Sequence, residues 1–213
     1  MIKKYLSWTI YSILAFLLFG MGISLQIKAA IGQGMLNAFA LTLARLSASE
    51  VGTVLNILNT TFFITYLIIR KTRFDCKDIV QITATIANGF IINLFVYVIF
   101  ADLMISSYIL KVSVFIFGLC LSSISLGAIL AIGIIKFPLE SLCIVLAQKF
   151  EKDLSIIRMR FDMFFLAGTL IITLISGNTL YIREGTIISF LLLSRFLGLS
   201  YHFFRKRLSP EHC

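Results

Sequence analysis

Arg158, Asp162 and Arg195 stand out among the ionisable residues inside long apolar stretches of this chain, where a charge costs several kcal/mol unless it is paired or used, and Glu140 joins them below. Arg158 and Asp162, in the stretch RMRFD, are four residues apart, the spacing of a same-face pair on a helix. Asp162 falls about 9 Å from the start of an apolar run at 156–175, taking about 1.5 Å per helical residue. Arg195 falls about 13 Å before the end of another at 186–204. A fourth, Glu140, follows Pro138 at the head of a short apolar piece. Carboxylates beside a guanidinium at such depth suit proton or cation coupling, or the holding of a polar substrate. Two plainer roles stand beside this one. An Asp–Arg pair fastens helices together, and an acid next to a helix-starting proline complements the helix dipole.

The first half of the chain carries amides instead. Asn37 heads a short apolar piece, and Asn56, Asn59 and Thr60 recur at i, i+3, i+4 and so share a helix face. Gln81, Asn88 and Asn93 follow on the next run. Such amides either bond helices to one another or form a neutral wall opposite the charged one. No HExxH, GxSxG, P-loop or dinucleotide fingerprint is present, so the chain reads as a non-enzyme. Intramembrane proteolysis needs a second Asp or a Ser–His arrangement within the runs, which Asp162 and the late His202 do not supply. Cys76, Cys120, Cys143 and Cys213 form no CxxC, and only His202 and His212 accompany them, so neither metal nor cofactor is expected.

These residues sit on an apolar scaffold. The 213 residues are 59% hydrophobic and 14% charged, with mean hydropathy +1.00, too apolar for a soluble domain of this size. The plan of parts occurs twice. A long run (5–27, then 112–135) is followed by a break and a short apolar piece, GMLNAFALTLARL at 34–46 and PLESLCIVLAQKF at 138–150. Two more runs close each unit, 51–69 and 79–101, then 156–175 and 186–204. The six long runs suffice to cross a hydrocarbon core of roughly 30 Å as helices, whereas 13 residues reach only about 20 Å. The expectation is an all-α polytopic membrane protein of two three-span units, 1–107 and 108–213, with the lipid bilayer as its surroundings. The first run is too long for a signal-peptide core and reads as an uncleaved span.

Charge distribution addresses the short pieces. If they do not cross, Lys3, Lys4, Arg70, Lys71, Arg73, Lys77, Lys136, Lys149, Lys152, Arg205, Lys206 and Arg207 fall inside, and Lys28, Arg45, Lys111 and Arg183 outside, twelve against four. If they cross, the same residues divide nine to seven. The positive-inside rule favours six spans with both termini cytoplasmic. Three spans per unit then make the copies an inverted tandem repeat, with each short piece re-entrant or lying at the interface. Asp162 and Arg195 would share the inner half of the bilayer, placed to pair between neighbouring helices. The net charge of +9 is accounted for by span ends, so no nucleic-acid partner is expected. The basic residues at 70–77 and 205–207 also admit a non-transporting partner or regulator of another complex. The oligomeric state is left open.

The segment Gly20-Met21-Gly22, then Lys28 to Ala38 (KAAIGQGMLNA) and Val51-Gly52-Thr53-Val54, resembles the YczE/YyaS (YitT-like) group of bacterial integral membrane proteins. That group has a G-x-G-P-x-D-type break before an S-x-G-T-V-type span start, and an R-x-x-x-D/E pattern that Arg158 and Asp162 match. Met35 stands where the pattern has Pro and Asn37 where it has Asp, while the second copy keeps Pro138 and Glu140 but loses the glycines. The resemblance implies a bacterial cytoplasmic-membrane protein. The inverted-repeat plan points to a transporter or permease-like protein for a small-molecule substrate, with Asp162, Arg195, Glu140, Arg158, Asn37, Asn56 and Asn59 as candidate site residues.

Overall fold

Long apolar runs satisfy their backbone groups in lipid only as helices or closed barrels. Here they form helices throughout the described residues, in the order α1 (Ile2–Ala29), α2 (Met35–Leu46), α3 (Val51–Arg70), α4 (Cys76–Asn93), α5 (Tyr108–Ile132), α6 (Pro138–Phe150), α7 (Leu154–Ser176) and α8 (Glu184–Leu208). The computed structural model describes residues 2–71, 75–132, 137–177 and 181–208, without the side chains of residues 2–10, 76, 77, 155, 190, 194, 207 and 208. Of the charges counted above, Arg73 and Lys136 and the side chains of Lys3, Lys4, Lys77 and Arg207 lie outside the described residues, as do Gly133, His212 and Cys213. Six helices are long and apolar enough to cross a membrane, over Tyr11–Ala29, Val51–Arg70, Asp78–Ile99, Tyr108–Ile132, Ile156–Ser176 and Glu184–Lys206. The chain is an all-α, multi-pass membrane protein.

The third span is not one regular helix. After Asn93 it widens into a π-helical stretch, Leu94–Ile99, closed by the Phe100 N–H donating to the Phe95 carbonyl at 2.8 Å. The apolar run at 79–101 carried no sign of this, because periodicity does not register one loosened turn. The widening leaves Asn93 and Tyr97 both over the start of α3, where the Asn93 Oδ1 accepts from the Gly52 N–H at 2.6 Å and the Tyr97 hydroxyl from the Val51 N–H at 3.1 Å. Two of the unpaired N–H groups that open any helix are thereby satisfied.

At the centre α1 crosses α5. Ala29, near the end of α1, shares a buried cluster with Phe115 and Leu119 near the start of α5, while Ala15 and Phe16 meet Ile129 near its end. The two helices therefore run antiparallel. Their closest approach is at Gly22 and Gly118, where a Cβ on either would stand 2.7 Å from the carbonyl oxygen of the other. Beside this contact the Gln26 carboxamide donates to Ser122 Oγ at 3.0 Å. Small residues that let backbones touch, with hydrogen bonds alongside, are how helices associate where lipid weakens the hydrophobic drive.

The short helices exchange partners. α2 packs on α7 as well as on its neighbour α3, and α6 packs on α3 as well as on its neighbour α7. Both thus lie between α3 and α7. The outer helices differ. α4 packs on α3 and α1, whereas α8 packs chiefly on α5, with Ser200 and Tyr201 seated over Gly127.

Adding one methyl at Gly22 meets backbone atoms that cannot rotate away. Overpacking of this kind costs roughly 1–3 kcal/mol, or a fall of roughly 2–12 °C in Tm for a chain of this size. Gly22→Ala is expected to lower thermal stability in detergent by that amount. Gly34→Ala, with no atom within 4 Å of the new Cβ, is expected to leave Tm unchanged.

Candidate functional site

Pro138 begins α6 and puts Glu140 in its first turn. The helix α7, starting at Leu154, brings Arg158 and then Asp162 to the same end of the short helix. Arg158 Nη1 donates to Glu140 Oε1 at 2.7 Å, and its Nε lies 3.5 Å from Asp162 Oδ1. One guanidinium is thus held between two carboxylates, a division of labour that its forked donors permit. The side chains are 36%, 44% and 30% exposed for Arg158, Glu140 and Asp162, so the group opens on a surface rather than being sealed in the core. With one cation and two anions, its formal charge is −1.

Arg195 does not join this group. It is exposed on α8, which packs along α5, and no ion pair links it to Asp162 among the described residues. The expectation of an Asp162–Arg195 pair is corrected: depth along the helices was matched, but α7 and α8 are not packed side by side. Asp162 finds its partner one turn away on its own helix instead.

Beneath the charged group lies an apolar cluster of Leu139, Cys143, Ile157 and Phe165, against which Met35, Leu36, Phe39, Phe62 and Phe161 pack. The rings of Phe39 and Phe62 stand 5.6 and 5.9 Å from that of Phe165, in tilted arrangements favourable to aromatic pairs. Residues from the first turns of α2 and α6 both enter this cluster, so the starts of the two short helices converge. Asn37 and Glu140 occupy those first turns.

Asn37 and Asn59 are half-buried, and their side chains form no hydrogen bond among the described residues. Asn56 belongs elsewhere. Its Nδ2 donates to the Ile86 carbonyl at 3.1 Å and its amide sits over Gly89, so it fastens α3 to α4.

Several polar partnerships were not legible as such. Asp78 is 3% exposed and makes a two-pronged pair with Arg70, at 3.0 and 2.7 Å, that ties α3 to α4. The Gln81 carboxamide donates to Ser141 Oγ at 3.0 Å, linking α4 to the start of α6. Asn93 donates to Glu50 at 2.6 Å and to Thr53 at 3.1 Å. Opposite charges eight residues apart across a short loop were the one available signal for Arg70 and Asp78. Ser141 and Glu50 carried none, whereas Gln81 and Asn93 are among the amides read from the sequence as bonding helices to one another. Arg70, read as an orienting charge, is also a structural one.

A family model, the family of unknown function DUF6198, matches residues 5–202. The chain belongs to that family. No curated protein and no solved structure matches it. The matched stretch takes in all six candidate spans almost entirely and every residue of the charged group.

Double-mutant cycles separate the Arg158–Glu140 pair that the structure forms from the Arg195–Asp162 pair that depth alone suggested. Half-exposed ion pairs are worth about 0.2–1 kcal/mol, and unconnected sites add within roughly 0.5 kcal/mol. Arg158→Met with Glu140→Gln is expected to show a coupling at the upper end of the first range in detergent unfolding. Arg195→Met with Asp162→Asn is expected to be additive.

Proposed function

We propose that the chain is a small-molecule permease of the bacterial cytoplasmic membrane whose site lies where the starts of α2 and α6 converge between the two halves. The observation that carries this reading is the Glu140–Arg158–Asp162 group, a net negative set at the head of a helix too short to cross. Ionisable residues persist at such positions chiefly where an ion or polar substrate passes. In this proposal Glu140 or Asp162 takes up a proton or cation, which releases Arg158 from one carboxylate and frees it for a polar substrate group. Asn37 and Asn59 supply hydrogen bonds from the first half.

An inverted repeat with both termini cytoplasmic is part of the proposal. The antiparallel packing of α1 and α5 supports it: between them the chain must cross an even number of times, and α3 with α4 already supplies two. The reciprocal seating of α2 on α7 and α6 on α3 is the pattern expected of halves related by a twofold axis in the membrane plane. Kinship with the YczE/YyaS proteins belongs to the same proposal and rests on the break and span-start residues at 32–37 and 51–54.

Two experiments test these points. In a background with all four cysteines replaced, single cysteines at Ser47 and Lys152 are expected to react with an impermeant thiol reagent from opposite sides of the membrane. Labelling of both from one side would mean that α6 crosses. In proteoliposomes screened with pooled metabolites under a proton gradient, Asp162→Asn and Glu140→Gln are expected to abolish gradient-dependent flux, and Asn56→Leu to change stability more than flux. Undiminished flux in both carboxylate variants would sink the assignment of the site.

A further inference from the structure

The face that α8 turns away from α5 carries an anomaly. Ile187, Leu191, Arg195, Leu199 and Phe203 recur every four residues and are all exposed, so a guanidinium stands in the middle of an apolar stripe. Arg195 is also at the middle of the span Glu184–Lys206. Arginines near span ends extend to the head groups, but one at the centre of a span needs an anion or a water-filled cavity beside it. Among the described residues Arg195 has no ion pair and no hydrogen bond, and α7, which bears Arg158 and Asp162, does not pack beside α8.

Its complement is the Glu140–Arg158–Asp162 group. Arg158 engages one oxygen of each carboxylate, which leaves Glu140 Oε2 and Asp162 Oδ2 without a partner among the described residues and the group with a formal charge of −1. Glu140 is the most exposed of the three and Asp162 the least. Beside them Met159, Met163 and Phe164 are exposed on α7. The two places are thus of opposite charge, each set in an uncovered apolar surface; only 11% of the α7 span and 6% of the α8 span is buried. They also match in depth. As consecutive spans, α7 starts and α8 ends on one side of the membrane, and Asp162 and Arg195 lie about 9 and 13 Å from that side, a difference that an arginine side chain covers.

We infer that a second copy of this chain covers the exposed faces of α7 and α8, each copy placing Arg195 against Glu140 of the other. Reciprocal contact of this kind is what a twofold dimer provides, since one surface meets itself. Two such contacts give each Arg195 its anion and cancel the excess negative charge of each group. The second copy thereby contributes a residue to the candidate site. Asp162 keeps its tie to Arg158 on its own helix and takes no part in the contact. The inference rests on charge and surface and not on transport, so a chain without flux leaves it standing, whereas a monomer removes it.

Subunit counting by single-molecule photobleaching of the full chain in phosphatidylcholine liposomes tests this, with the dimerisation constant read from dilution in lipid. The wild type is expected to be dimeric. Arg195→Met and Glu140→Gln are each expected to weaken association at least tenfold. Arg160→Met, at an exposed arginine near the start of the α7 span, is expected to leave it unchanged. An equal mixture of differently labelled Arg195→Met and Glu140→Gln is expected to form mixed dimers more tightly than either variant associates with itself, because the mixed pair keeps one of the two contacts. That recovery separates a lost contact from a misfolded variant. A monomeric wild type would overturn the inference, as would undiminished association in either variant or a mixture no better than its components. A wild type that is monomeric alone but co-purifies stoichiometrically with a different membrane protein, and loses it in Arg195→Met, would also overturn it and assign the stripe to that partner.

Discussion

Every helix that begins or ends within an apolar structure leaves backbone groups that lipid cannot satisfy, and much of the polar inventory of this chain is spent on that one problem. The start of α3 is met by Asn93 and Tyr97, and the break after α1 by Gly185 and Thr186 of α8. The head of α6 is held through Ser141 by Gln81. In each case the partner comes from a different helix. The ends of elements are therefore fastened to one another, while their middles are held by side-chain packing such as that around Gly22 and Gly118. The two short helices, α2 and α6, are each seated between α3 and α7.

The halves share a plan but differ in how they close. In the first, α4 lies on α3 and amides join the two, at Asn56 to Ile86 and Asn93 to Gly52. In the second, α8 leaves α7 and turns to α5. The positions that are amides in the first half are ionised in the second, with Asn37 set against Glu140 and Asn59 against Asp162 by the repeat. Neutral groups suit an interface that is shut, since an amide NH2 can be paired by a backbone carbonyl, as Asn56 is by Ile86. Charges need one another or water, and Arg158 with its two carboxylates lies where the packing is looser.

The sequence made the architecture legible because a span is a property of composition over many residues. Six apolar runs became six long helices, and the two short pieces became α2 and α6 within a residue of the expected limits. The pair Arg158 and Asp162 was legible too, since a four-residue spacing on a helix leaves little freedom. What was not legible depended on which helix neighbours which. Arg195 had the right depth to reach Asp162 and the wrong neighbour. Glu140 was grouped with Asp162 and Arg195 as one wall, but nothing in the spacing said that Arg158 would be its partner across the turn between α6 and α7. The π-helical widening at Leu94–Ile99 likewise lies beside the start of α3, whose N–H groups Asn93 and Tyr97 accept from across some forty residues of chain.

The placement of α8 leaves the two halves unequally covered. Leaning on α5 along its length and pinned at its first turn to the Ile31 carbonyl, this helix has protein on one side only. Ile187, Leu191, Leu199 and Phe203 face outward, as do Met163, Phe164, Ile171 and Leu174 on α7. The last two spans of the second half therefore leave more of their apolar surface to their surroundings than α3 and α4 of the first half do.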